Sequence, residues 1–210
     1  SSIIMYHKEQ IKLGSFSTSR TELRDLVKAW VVISLAFAIA MSGFSVSKIV
    51  IVFFVSALTV GVAFLLHELA HKLVAQHYGC YAEFRSFDNM LILAIVMSFF
   101  GFVFAAPGAV MISGPVGIRR NGTISLAGPL VNLILALLCL VMLVSLPFGV
   151  LLRTIFYYGF MINTWIALFN LIPIGNFDGK KIFKWNRVVY IILVVVAGVF
   201  MIMQSFVHNL

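Results

Sequence analysis

Residues 89–118 read NMLILAIVMSFFGFVFAAPGAVMISGPVGI, an uncharged stretch that ends only at Arg119. Whether it crosses a membrane or turns back decides the architecture of the chain. Its first half is an apolar, helix-like run. Its second half carries Gly101, Pro107, Gly108, Gly114, Pro115 and Gly117, which would break a helix repeatedly.

Five further runs, at about 29–46, 49–72, 124–146, 154–174 and 188–207, have the length and apolarity of bilayer-spanning helices. The 210 residues are 62% hydrophobic and 10% charged, with a mean hydropathy of +1.09. That balance excludes a soluble globular domain. The net charge of +8 could suggest nucleic acid, but the basic residues border apolar segments, where they orient a membrane protein and meet anionic headgroups. Cys80 and Cys139 show no metal-type spacing and suggest no disulfide. Residues 1–28 are polar and mixed in charge, unlike a cleavable signal.

The lysines and arginines choose between the two paths of 89–118. If the stretch returns to the side it left, and the N-terminus is cytoplasmic, thirteen of the fifteen fall inside and only Lys48 and Arg153 fall outside. If it crosses once, the split is eight against seven. The positive-inside rule selects the returning path. Irregular backbone at membrane depth must be buried in protein or line a cavity, so a cavity is expected near 101–117. The expected fold is an all-α polytopic membrane protein of about five transmembrane helices, with a re-entrant hydrophobic segment that has room for a short β-hairpin. A cytoplasmic segment over 1–28 precedes a single membrane-embedded domain over 29–207.

Within the second run, residues 64–74 read FLLHELAHKLV. His67 and His71 are four apart and share one helix face, a spacing that suits zinc, with Glu68 beside the open position as general base. The plainer reading is two buried histidines with hydrogen bonds and a glutamate reaching for the interface. Catalytic zinc needs a third protein ligand, and only seven acidic residues exist. Glu9, Glu22 and Asp25 precede the first run, and Glu83 and Asp88 follow the histidine helix. Asp178 follows the break at Pro173 and Gly175 and, on the returning path, shares a membrane face with the histidines. It could instead be a turn residue of Asp178-Gly179. His77 lies off the ligand face and reads as interfacial, while His7 and His208 read as solvated.

Three motifs then line up in order: HELAH, SLAGPLVN at 125–132 and NLIPIGNFDG at 170–179. Together they resemble the site-2 protease family of intramembrane zinc metalloproteases over about residues 20–187. The resemblance implies one zinc ion held by His67, His71 and Asp178, with Glu68 as base and Asn170 helping to polarise the substrate carbonyl. It implies hydrolysis of peptide bonds within or near transmembrane segments of protein substrates, with the active site toward the cytoplasm. Gly128 and Pro129 read as close packing and kinking, and Asn132 as facing either the cavity or a neighbouring helix. Two rivals remain: a membrane ion or metal transporter, which would spread polar residues along a path, and a catalytically inactive binding protein of the same fold.

Overall fold

The structure, a computed structural model, describes residues 10–13, 16–43, 45–103 and 107–207. His7, His208 and the first nine residues of the expected N-terminal segment lie outside the described residues. Strands β1 (Gln10–Leu13) and β2 (Phe16–Ser19) pair antiparallel, with Gln10 opposite Ser19. Ser19 then caps α1 (Arg20–Ser42), its hydroxyl accepting from Glu22 N–H at 3.1 Å. The helix therefore begins well before the apolar run at residue 29, because a cap and not hydropathy sets its start. It stops at Gly43, whose φ of 56° is the left-handed conformation that ends many helices.

Residues Val46–His77 form one helical span of 32 residues. It comprises α2 (Val46–Ser56), a π-turn (Ala57–Gly61) and α3 (Val62–His77). The indole N–H of Trp30 on α1 donates to Ala57 C=O at 3.0 Å, satisfying a carbonyl at the irregular turn. A Cβ on Gly61 would overlap the Trp30 ring, so glycine lets α1 lie close there.

Strand β3 (Tyr81–Ser86), helix α4 (Asp88–Ser98) and strand β4 (Gly108–Ser113) follow. The two strands pair antiparallel, Tyr81 opposite Ser113 and Ser86 opposite Gly108. The chain thus leaves this ribbon at Ser86 and comes back to it at Gly108. The apolar half of the 89–118 stretch is α4, packed on α1, and the broken half supplies β4. The expected hairpin does not lie within the stretch; β4 instead pairs with β3, across the intervening α4. Lys28 Nζ donates to Asp88 Oδ1 at 2.6 Å and ties the start of α4 to α1. That ammonium and the Ser86 hydroxyl hold the exposed Asp88 carboxyl below the usual carboxylate range.

Four helical segments remain: α5 (Ile118–Ser145), α6 (Val150–Asn170), α7 (Asp178–Trp185) and α8 (Arg187–Val207). Helix α5 is central and packs against α3, α6 and α7. Small side chains fill the closest helix contacts: Ala36, Ala63 and Ala94 join α1, α3 and α4, while Ala167 and Ala197 join α6 and α8. Large apolar residues such as Val46, Phe54, Val150, Val188 and Phe206 face outward. Among the described residues, four segments, Arg20–Ser42, Val46–His77, Ile118–Ser145 and Arg187–Val207, are long and apolar enough to cross a membrane, which makes the protein membrane-associated. Each expected run holds a helix, but the first is cut short at Ser42 and the fourth at Asn170. The fourth run lies in α6, which has spanning length but carries Arg153, Tyr157, Tyr158, Asn163 and Thr164. Cys80 and Cys139 are both free.

Crowding at Gly61 gives a first test. Gly61→Ala should destabilise the fold by about 1–3 kcal/mol through overpacking, read as a lower midpoint of thermal unfolding in detergent. Gly198→Ala on α8, where the added methyl meets open space, should leave it level or raise it.

Candidate metal centre

His67 and His71 sit one turn apart on α3, with Nε2 atoms 3.0 Å from each other. Asp178, the first residue of α7, brings Oδ2 to 3.1 Å from His71 Nε2 and 3.5 Å from His67 Nε2. All three side chains are buried. A tetrahedral ion with bonds of about 2.0–2.1 Å spaces its ligand atoms by about 3.3 Å, so these separations match the edges of a zinc tetrahedron.

The outer ring nitrogens strengthen the fit. His71 Nδ1 donates to the backbone carbonyl of Ile124 at 2.8 Å, and His67 Nδ1 to Asn132 Oδ1 at 2.6 Å. Those oxygens can only accept, so each Nδ1 carries its proton and each Nε2 is left as a base. Asn132 is itself fixed, its Nδ2 donating to Ala63 C=O at 3.1 Å and to Asn163 Oδ1 at 2.9 Å. Two imidazole bases and a carboxylate oxygen therefore converge in a buried site, an arrangement that calls for a cation.

Local sequence explains the approach of each element. A Cβ on Gly128 would overlap the Nε2 atoms of both histidines, so α5 can pass this near only with glycine there. Gly179 likewise lets the start of α7 lie against the Leu171 carbonyl at the end of α6. Gly175, at φ 54°, turns the chain between those helices. Asp178 is thus a helix-start residue directed at the histidines, and the turn falls at Gly175 instead. Its other oxygen, Oδ1, lies 3.5 Å from Lys181 Nζ.

Glu68 is buried beside the histidines on α3, and its Oε2 accepts from Val110 N–H of β4 at 3.1 Å. Asn170 ends α6, and its Nδ2 donates to Ile166 C=O of the same helix at 3.0 Å. His77 is exposed at the end of α3, with its ring against Tyr78. Sequence reasoning left Asn132 between two roles and read Gly128 only as packing. Their place in SLAGPLVN, four residues apart on one helix face, was the available signal.

One similarity decides the family. Over 183 residues, 86% of this chain, the sequence is 39% identical to a protein of Methanocaldococcus jannaschii named "Putative zinc metalloprotease MJ0611", 93% of which is covered. The chain belongs to that zinc metalloprotease family. No family model and no solved structure matches it. In this metalloprotease the three convergent side chains above form a group able to hold a metal ion.

The hydrogen bonds behind the ligands are testable through the metal alone. Asn132→Leu should weaken zinc binding about tenfold to a hundredfold, read by chelator competition. Asp178→Asn should lower zinc per chain in elemental analysis, and unchanged stoichiometry would remove Asp178 from the ligand set.

Proposed function

We propose that this metalloprotease is a site-2-type enzyme that hydrolyses peptide bonds within or near transmembrane segments of membrane-protein substrates. The observation that carries the reading is the buried His67–His71–Asp178 group at one end of long apolar helices. The chain crosses the membrane five times, α6 included, and it leaves and regains one membrane face between Ser86 and Gly108. Two facts support this path: Ser86 pairs with Gly108, and Asp178 meets the histidines, which a single crossing would place on the opposite face. The thirteen-to-two distribution of basic residues turns that face toward the cytoplasm.

Zinc held by His67, His71 and Asp178 would supply a Lewis acid that lowers the pKa of water toward about 7 and polarises the scissile carbonyl. Glu68 takes a proton from the attacking water. It returns that proton to the departing amine nitrogen as the C–N bond breaks and the new carboxyl group forms. With Oε2 held by Val110 N–H, Oε1 is the oxygen left to carry the proton. Asn170 keeps a second amide N–H beyond its bond to Ile166, and this donates to the substrate carbonyl.

A helical substrate hides its carbonyls in its own hydrogen bonds and must unwind before cleavage. The ribbon has an edge to receive it. Phe84 and Ser86 N–H on β3 both donate to carboxylates of α1. Their opposite numbers Val110 and Gly108, with Ile112, therefore turn backbone groups to the outer edge of β4. An extended peptide lying along that edge would run past Glu68. His67, Glu68, His71 and Asp178 are gathered at one point instead of being strung along the helices, which favours hydrolysis over transport.

Glu68→Gln should keep full zinc by elemental analysis and cleave a model transmembrane peptide at least about a hundredfold more slowly. Wild-type cleavage should stop with a chelator and return with zinc. Retained activity in Glu68→Gln would overturn the mechanism.

A further inference from the structure

Lys72 and Glu22 form an ion pair with Nζ–Oε2 at 2.5 Å, and their side chains are 2% and 0% exposed. The metal centre does not use either residue. Burying two charges is costly and often stabilises no better than an apolar pair, so the pair invites a second role. Its hydrogen bonds suggest one. Glu22 Oε1 accepts from Phe84 N–H at 2.9 Å, while Oε2 also accepts from the Thr18 hydroxyl at 2.8 Å. Phe84 is the direct partner of Val110 in the ribbon, and Val110 N–H donates to Glu68 Oε2 at 3.1 Å.

Phe84 and Val110 thus form one rung whose two N–H groups point outward from opposite edges, the non-hydrogen-bonded kind of antiparallel pair. Glu22 grips the rung from α1 and Glu68 grips it from α3. Lys72 lies four residues after Glu68 and so on the same face of α3. The connections close a ring: Glu68 to Val110, across to Phe84, to Glu22, to Lys72 and back into α3. Phe84 is buried with its ring edge-on to Phe64 of α3, centroids 5.8 Å apart, and Lys72 lies 4.3 Å from the Phe16 ring centroid.

We propose that Glu22, held by Lys72, is a positioning residue for Glu68. It fixes the Phe84–Val110 rung so that Val110 N–H meets Oε2 and Oε1 stays turned toward the reacting water. The inference rests on the reading of Glu68 as the proton carrier. A small displacement of such a group is enough to cost much of the rate. A role confined to folding would need only that the buried charges be matched or removed together.

Paired substitutions separate the two roles. E22Q/K72M removes both charges and keeps an amide oxygen for Phe84 N–H, whereas E22M/K72M removes the charges and the acceptor. Three quantities are read on each full-length protein: zinc per chain, kcat and KM on a model transmembrane peptide, and hydrogen exchange at the Phe84 and Val110 amides. Zinc should be equal throughout, because no ligand is touched. In E22M/K72M, kcat should fall about tenfold to a hundredfold with KM within about twofold, and both amides should exchange at least about tenfold faster. E22Q/K72M should restore most of the loss in each. Equal kcat and equal exchange in the two variants would overturn the inference. A wild-type protein that holds zinc and cleaves no peptide would overturn the proteolytic reading, and Val110 exchange alone would then decide whether Glu22 holds the rung.

Discussion

The Nδ1 protons of His67 and His71 are committed to oxygens on α5, and much of the structure follows from that commitment. In an apolar interior each such bond left unmade is costly, so α5 must run directly against α3. It can do so only with no side chain at residue 128. Asn132 must then place its amide hydrogens, and it reaches α6 through Asn163, which donates in turn to Gly159 C=O at 2.8 Å. Three helices are locked in rotation by a chain of amides that starts at an imidazole. The same geometry that orients the helices leaves two basic nitrogens aimed at one point.

Much of this was legible in the sequence, for physical reasons. The HELAH spacing equals one helical turn, so two imidazoles on one face follow without any knowledge of the fold. Asp178 could be reached because carboxylates are scarce in so apolar a chain and because basic residues report membrane sidedness. The less legible features depend on partners distant in sequence. Helix α1 starts at Arg20 because Ser19 caps it and Glu22 finds Lys72, fifty residues away, to share its burial. Strand β4 pairs with β3 across an intervening helix, so no local turn signal announced the pairing. Asn132 read equally well toward a cavity or a neighbouring helix, and only the position of His67 decides that it serves a ligand. The π-turn has no sequence mark beyond Gly61.

The two carboxylates of α1 give the ribbon its asymmetry. Glu22 and Asp25, one turn apart, accept the alternate outward N–H groups of β3 at Phe84 and Ser86. An edge covered in this way cannot pair with another strand, which is a general means of preventing unwanted sheet growth. A two-stranded ribbon is marginal by itself, and here it is held by charged hydrogen bonds on one side and by the Phe64–Phe84 contact below. Rigidity where a peptide would lie is thus drawn from the N-terminal helix, at some distance in sequence from every metal-facing residue.

The π-turn at Ala57–Gly61 has a further consequence, for helical phase. One extra residue in a continuous helix turns everything beyond it by about 100°. Before the turn, Val50, Ile51 and Phe54 look outward. After it, His67, Glu68, His71 and Lys72 all look inward. The single helix is therefore two surfaces out of phase, one cut for hydrocarbon and one for chemistry. Loss of one residue anywhere between Ala57 and Gly61 would regularise the helix and turn the face carrying His67, Glu68, His71 and Lys72 by about 100° against the lipid-facing stretch, out of register with Asp178 and α5, without changing any of them.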